Sequence, residues 1–283
     1  MVARPLTRPA LLGASAAGAV LLAAGCGGGG SGSTARTFAA SAPKVLHIVF
    51  PEGFTREDMA ARITAVREIA RVRRHVTPRL TAKAYLAATA SSAYPGRFAG
   101  DGKRRSLEGF LFPARYAFFS NEDARRFVAR QLAAFRSSWS RVDLRYARSK
   151  NLTPYDVLII ASMIEREVAV PSERRLVAAV IYNRLRLGMQ LGIDATLRYG
   201  LHIPPTQSIT KVELASGSPY NTRRFRGLPP TPICNPGLAS MQAAAHPARV
   251  DYLYYVRKPD KRHHYFTASA ADFRRYLAAH GYG

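Results

Sequence analysis

Two acids two residues apart, Glu165 and Glu167, with Arg166 between them, close a run of apolar residues from Val157 to Ile164 that only Ser162 interrupts. A helix that is apolar on every face belongs inside a core. Carboxyls at the end of such a helix leave bulk water, and lost hydration raises a carboxyl's pKa. A carboxyl that holds its proton near neutrality is what a general acid in glycoside cleavage requires. Periodicity leaves the choice open. Glu165 shares a face with Leu158, Ala161 and Val168, while Glu167 lies near Ile160, Met163 and Ile164. The bland alternative is an acid at a helix end paired to an arginine, in a chain rich in arginine.

The elements that must position these acids read as follows. Thr153, Pro154 and Asp156 open the helix with a capping box and a proline at its first turn. Ser172 is the expected cap of the next helix, whose stripe is Leu176, Val177, Val180, Ile181 and Leu185 and whose stop is Gly188. Upstream, KVLHIVF (44–50) reads as a strand. Thr55 with Asp58 caps a helix through about Val72, and a second helix spans Thr81 to Thr89. Residues 91–105 read as loop, and an amphipathic helix runs from Asn121 to Trp139 with Phe127, Leu132 and Phe135 inward. Residues 202–240 form a long loop rich in Pro, Gly, Ser and Asn, of the kind that usually carries function. VDYLYYV (250–256) and HHYFTA (263–268) pair as a hairpin, and a helix over 272–279 ends the chain. The fold class is α+β: a small strand–helix–helix unit ahead of a mainly helical domain with a β-hairpin and long ordered loops.

Three blocks in order carry a family resemblance: LEGFLFPARYAF (107–118), ASMIEREVAVPSERRLVAAVIYNRLRLGMQLGIDATLRYG (161–200) and SPYNTRRFRGLPPTPICNPGLASMQAAAHPA (218–248). Together they resemble the YceG-like family, the endolytic murein transglycosylases called MltG, over about Lys44 to Phe273. The resemblance implies a lytic transglycosylase that cleaves the bond between N-acetylmuramic acid and N-acetylglucosamine and leaves a 1,6-anhydro end. It also implies that Glu165, the first Glu of the Glu-x-Glu pair, is the catalytic acid. Substrate contacts are expected from Asn183, Asp194, Thr196, Tyr220, Asn221, Asn235 and Glu108, with Arg223 beside them. For each the plainer role is structural: a buried amide at Asn183, an N-cap at Asp194, loop-internal bonds in 218–235. Three positions depart from the family pattern: Ala114-Arg115 where relatives have Asp-Thr, Ala195 where they have Pro, and Phe273 where they tend to have His. No cofactor is expected, and the adjacent His263 and His264 do not fit a tetrahedral metal spacing.

The division implied is an export signal or membrane anchor over 1–26, a Gly/Ser linker over 27–43, a LysM-like subdomain over 44–92 and a YceG-like catalytic domain over 93–283. The first of these rests on Arg4 and Arg8, then an apolar stretch from Pro9 to Ala24, then Leu22-Ala23-Ala24-Gly25-Cys26. Small residues before a cysteine resemble a lipoprotein signal, which makes Cys26 the lipidation site. An uncleaved anchor is the alternative. If Cys26 carries lipid, Cys234 has no disulfide partner, and it reads as a small buried residue. The formal net charge is +24. It suits anionic envelope material such as peptidoglycan stem carboxylates, and no helix-turn-helix, aromatic–basic or zinc pattern points to nucleic acid. The expected partners are peptidoglycan glycan strands, the membrane through the N-terminus, and peptidoglycan synthases. A glycan-binding lipoprotein or synthase scaffold without catalysis is the competing class.

Overall fold

The computed structural model describes residues 42–282. The expected lipidation site Cys26, the anchor over 1–26 and most of the linker over 27–43 lie outside them. No helix among the described residues is long and apolar enough to cross a membrane.

Strand β1 (Val45–Val49) alternates exposed and buried residues. It pairs antiparallel with β2 (Arg115–Phe119), Val45 opposite Phe119 and Val49 opposite Arg115. The inward set Leu46, Ile48, Tyr116 and Phe118 is buried, as a half-buried ladder requires. Helix α1 (Arg56–Arg74) follows the turn after β1. Its capping box is formed as expected, with Thr55 accepting from Asp58 N and Asp58 accepting from Thr55 N. Helix α2 (Ala82–Thr89) is capped by Thr81. The expected subdomain boundary at 92 falls between the two strands of this sheet. Helix α3 (Tyr94–Ala99) stands where a loop was expected. Its proline lies at the first turn, where a missing N–H costs nothing, and Phe98 lies within 6 Å of Phe110, Phe135 and Trp139. The aromatics of the 107–118 block are core: Phe110, Tyr116 and Phe118 are buried.

Helix α4 (Ala124–Trp139), capped by Asp123, buries Phe127, Val128, Gln131 and Phe135. After the short α5 (Arg145–Ser149) comes α6 (Pro154–Glu167), whose capping box Thr153–Asp156 is formed. Every residue from Val157 to Ile164 is buried. At about 1.5–3 kcal/mol for each large apolar side chain, this helix anchors the molecule. A 3-10 turn (Pro171–Glu173) leads to α7 (Arg174–Arg186). Ser172 does not cap it: the N-cap position is Glu173, whose side chain is engaged elsewhere. Helices α8 (Asp194–Leu201), α9 (Lys211–Leu214) and α10 (Leu238–Ala245) follow. The hairpin β3 (Tyr254–Arg257) with β4 (His264–Thr267) and the terminal α11 (Ala270–Ala279) complete the fold. Helix α6 packs against α3, α7, α8 and α10, which surround it.

Candidate active site

Helix α6 ends at the two glutamates, and the structure sends them to different neighbourhoods. Glu165 Oε2 accepts the backbone N–H of Gly237 at 3.0 Å, just ahead of α10. On the same side lies the turn Pro51–Gly53 that leads into α1. Arg166 donates to Gly53 O at 3.2 Å, and Gly53 sits at φ +81° against the Glu165 side chain. Gly53 and Phe54 exchange backbone hydrogen bonds with Asn235, at 3.0 and 2.9 Å. Glu52 rests its carboxyl on Gly237, where a Cβ would fall 1.8 Å from Glu52 Oε1. Burial raises the pKa of Glu52, and the charge of Glu165 adds to the rise.

Glu167 turns towards the β3–β4 hairpin. Its Oε2 accepts the hydroxyl of Tyr255 on β3 at 3.2 Å. Burial raises its pKa. The field of His264 and the Tyr255 hydrogen bond oppose that rise, and Asp194 assists it. The Tyr255 hydroxyl, pushed well above its ordinary value by burial, stays a donor. Tyr255 stands edge-on to the His264 ring, with centroids 5.4 Å apart. Glu173 grips His264 twice, accepting its N–H at 3.0 Å and pairing with Nδ1 at 2.7 Å, and both side chains are buried. A continuous chain Glu173–His264–Tyr255–Glu167 therefore fixes the second glutamate from behind. Arg223 closes on Asp194 at 2.5 Å, and both side chains are about half exposed.

The other expected contact residues divide sharply. Asp194 lies near enough for its charge to act on Glu167. It occupies the first turn of α8 rather than the N-cap, which is Ile193. The Tyr220 hydroxyl meets Thr231 at 2.8 Å, and its ring stands edge-on to Tyr199. The remaining polar groups are engaged by the chain itself. The Asn183 amide donates to Val250 O and Tyr252 O. Buried Thr196 bonds to Ile193 O and Thr222. Buried Asn221 donates to Leu214 O and Ser216 O. Buried Asn235 accepts from Leu111 N and donates to Phe54 O and to Glu108. Glu108, also buried, accepts from Arg56 N, Asn235 and Tyr199, and burial pushes its pKa up to about 8. Cys234 is buried and free, its thiol directed at Ser162 O at 3.3 Å.

Sequence reasoning passed over Glu52, Glu173, Tyr255 and His264. His264 was weighed only as half of a metal pair. The signal for Tyr255 was its place in an alternating strand whose pairing brings it beside His264. Two cavities, of about 750 and 560 Å³, are lined by other residues and touch neither Glu165 nor Glu167.

The YceG-like family model matches residues 31–279. An endolytic murein transglycosylase of Streptococcus pneumoniae is 29% identical over 258 residues, which is 84% of this chain and 45% of that protein. One of Bacillus subtilis is 34% identical over 155 residues, 55% of this chain and 43% of that protein. The chain thus spans less than half the length of either relative. A crystal structure of a YceG-like protein from Listeria monocytogenes superposes with a TM-score of 0.68 at 27% identity, over 81% of this chain and 75% of that one.

Proposed function

Because the chain belongs to the YceG-like family, we propose that it is an endolytic lytic transglycosylase acting on peptidoglycan outside the cytoplasm. It would cut uncrosslinked glycan strands between N-acetylmuramic acid and N-acetylglucosamine. The relatives' name supports the reaction class. The family resemblance assigns the acid to Glu165, while the geometry supports Glu167. The observation that carries this choice is the burial of Glu167 against the hairpin, which favours the protonated acid, while the Tyr255 hydroxyl fixes Oε2 and opposes the rise only in part.

Tyr255 occupies Oε2, which leaves Oε1 to carry the acidic proton. Glu167 would give that proton to the glycosidic oxygen. As a carboxylate it would then take the proton from the muramic C6 hydroxyl, which attacks C1 and closes the 1,6-anhydro ring. One carboxyl serves both steps, and the nucleophile is already tethered to the reacting sugar. Asp194, Arg223 and Tyr220 would contact sugar, and Asn183, Thr196, Asn221, Asn235 and Glu108 would hold the walls. In this reading β1, α1, α2 and β2 form a LysM-like unit that guides glycan towards α6, supported by the contact of the 51–54 turn with Asn235 and Arg166. Tethering through Cys26 and termination of glycan elongation beside a synthase belong to the same proposal.

The test is a digest of purified uncrosslinked strands read by mass spectrometry. Products ending in 1,6-anhydromuramic acid are expected. Reducing ends would make the enzyme a hydrolase, and retained binding without cleavage would favour a glycan-binding scaffold.

A further inference from the structure

The 560 Å³ cavity lies between the start of α7, the exposed side of α10 and the loop after α4, and its lining includes Arg141, Asp143, Arg174, Arg175, Gln242 and His246. Three features set it apart from the arginine-rich surface. First, Arg141, Arg174 and Arg175 have no carboxylate within ion-pair distance among the described residues. Arg174 Nε donates to Ser240 Oγ at 3.2 Å and Arg175 Nε to His246 O at 2.9 Å, and their outer guanidinium nitrogens have no hydrogen-bond partner among the described residues. Second, two of the three occupy the first turn of α7, where the helix dipole disfavours cations. That turn has no side-chain cap, because the acid at its N-cap, Glu173, is turned inward to His264. Third, the lining is mixed. Asp143 stays ionised, its carboxyl drawn down to about 2 chiefly by its hydrogen bond from Arg145, and Gln242 adds an amide.

We propose that this cavity is a subsite for the free carboxylates of a peptide carried by the glycan substrate, with Arg141, Arg174 and Arg175 as its carboxylate-binding residues. The proposal rests on the glycan-cleaving reading above. Arginine forks match carboxylates in two parallel hydrogen bonds. A phosphate meets the same forks, but its denser charge is repelled by Asp143, whereas a peptide brings amides and an amino group that Asp143 and Gln242 can accept. The subsite is tied to Glu167 through a succession of contacts. Arg174 follows Glu173, which holds His264 and through it Tyr255. The charge of Arg174 also reaches Glu52 beside Glu165. An anion seated here therefore fixes the strand relative to α6, which favours cleavage beside sugars that bear peptide.

The experiment compares strands that carry stem peptides with strands stripped of them by an amidase, using the full chain, R141Q/R175Q and the charge-matched control R148Q/R186Q. Both pairs of arginines are exposed, so folding is preserved, and thermal melting checks it. The wild type and the control are expected to favour peptide-bearing strands by about tenfold in kcat/KM, mostly through KM. R141Q/R175Q should lose that preference. In calorimetry a soluble stem tetrapeptide should bind the wild type, weaken with salt and fail to bind R141Q/R175Q. Equal cleavage of both strands by the wild type, or an unchanged preference in the variant, overturns the subsite. So does tighter binding of inorganic phosphate than of the tetrapeptide, which would mark a general anion patch. If the wild type cleaves neither strand, the catalytic reading fails, and tetrapeptide binding alone decides the subsite.

Discussion

The two sides of the α6 terminus carry the same residue type and do opposite things with it. On one side Glu165 accepts a backbone N–H and abuts a turn of the β1–α1 connection, so it acts as a joint between two parts of the fold. On the other side Glu167 meets a hydroxyl donor, itself packed on a buried histidine–carboxylate pair. A carboxyl tied to a backbone N–H serves the chain's own architecture. One shielded from water, with a single hydroxyl donor, is kept nearer neutrality. The difference teaches that position along a helix says little about a carboxyl's chemistry. The elements that close over it decide.

Breaking the support behind Glu167 should show this most strongly. His264→Ala removes the ring partner of buried Glu173 and leaves it only the backbone N–H of residue 264, so it is expected to cost about 2 kcal/mol of stability, read from denaturant unfolding, and to lower kcat. Next in size, Tyr255→Phe removes a donor to the carboxylate. The pKa of Glu167 then rises further, and the limb of the pH–rate profile on which the acid loses its proton moves to higher pH, while a matched change beside Glu165 leaves it in place.

A third prediction concerns Glu108, which joins the two regions through Asn235 and Tyr199. Its folded pKa of about 8 lies above the ordinary carboxyl value of 4.5, so the folded state holds more protons between those values. Stability is fully present below the unfolded pKa and falls as pH rises through about 8. Glu108→Gln should flatten that fall, with a moderate cost at low pH from mismatched hydrogen bonds. The smallest expected effect is Gly237→Ala. Its Cβ displaces the Glu52 carboxyl, the far end of a flexible side chain, so melting should change by about 1 kcal/mol or less.

Much of this architecture was legible in the chain. The boxes Thr55–Asp58 and Thr153–Asp156 marked helix starts to the residue, because cap chemistry is local. The apolar run of α6 announced a buried helix. What failed depended on distant partners. Strand β2 hid in an aromatic block because its alternation is visible only beside β1. Helix α3 hid behind Pro95 and Gly96, and packing of Phe98 on Phe110 and Trp139 overrides their weak propensity. Strand β3 begins at Tyr254, not 250, since Asn183 and Arg184 take the carbonyls of Val250, Tyr252 and Leu253. The candidate site shows the same limit. Polar residues of the long loop looked available for substrate, but Asn221 and Asn235 spend their amides in holding the loop's shape. Tyr255, His264 and Glu173, far apart in sequence, meet only through the hairpin.

The account turns on which glutamate moves the proton. Cleavage of uncrosslinked glycan strands by Glu167→Gln and Glu165→Gln, beside wild type and at matched folded fraction, tests it directly. Glu167→Gln should lose at least about 100-fold in kcat, and Glu165→Gln should keep activity within about tenfold of wild type. The reverse pattern, with Glu165→Gln dead and Glu167→Gln active, would contradict the account and return the acid to the first glutamate.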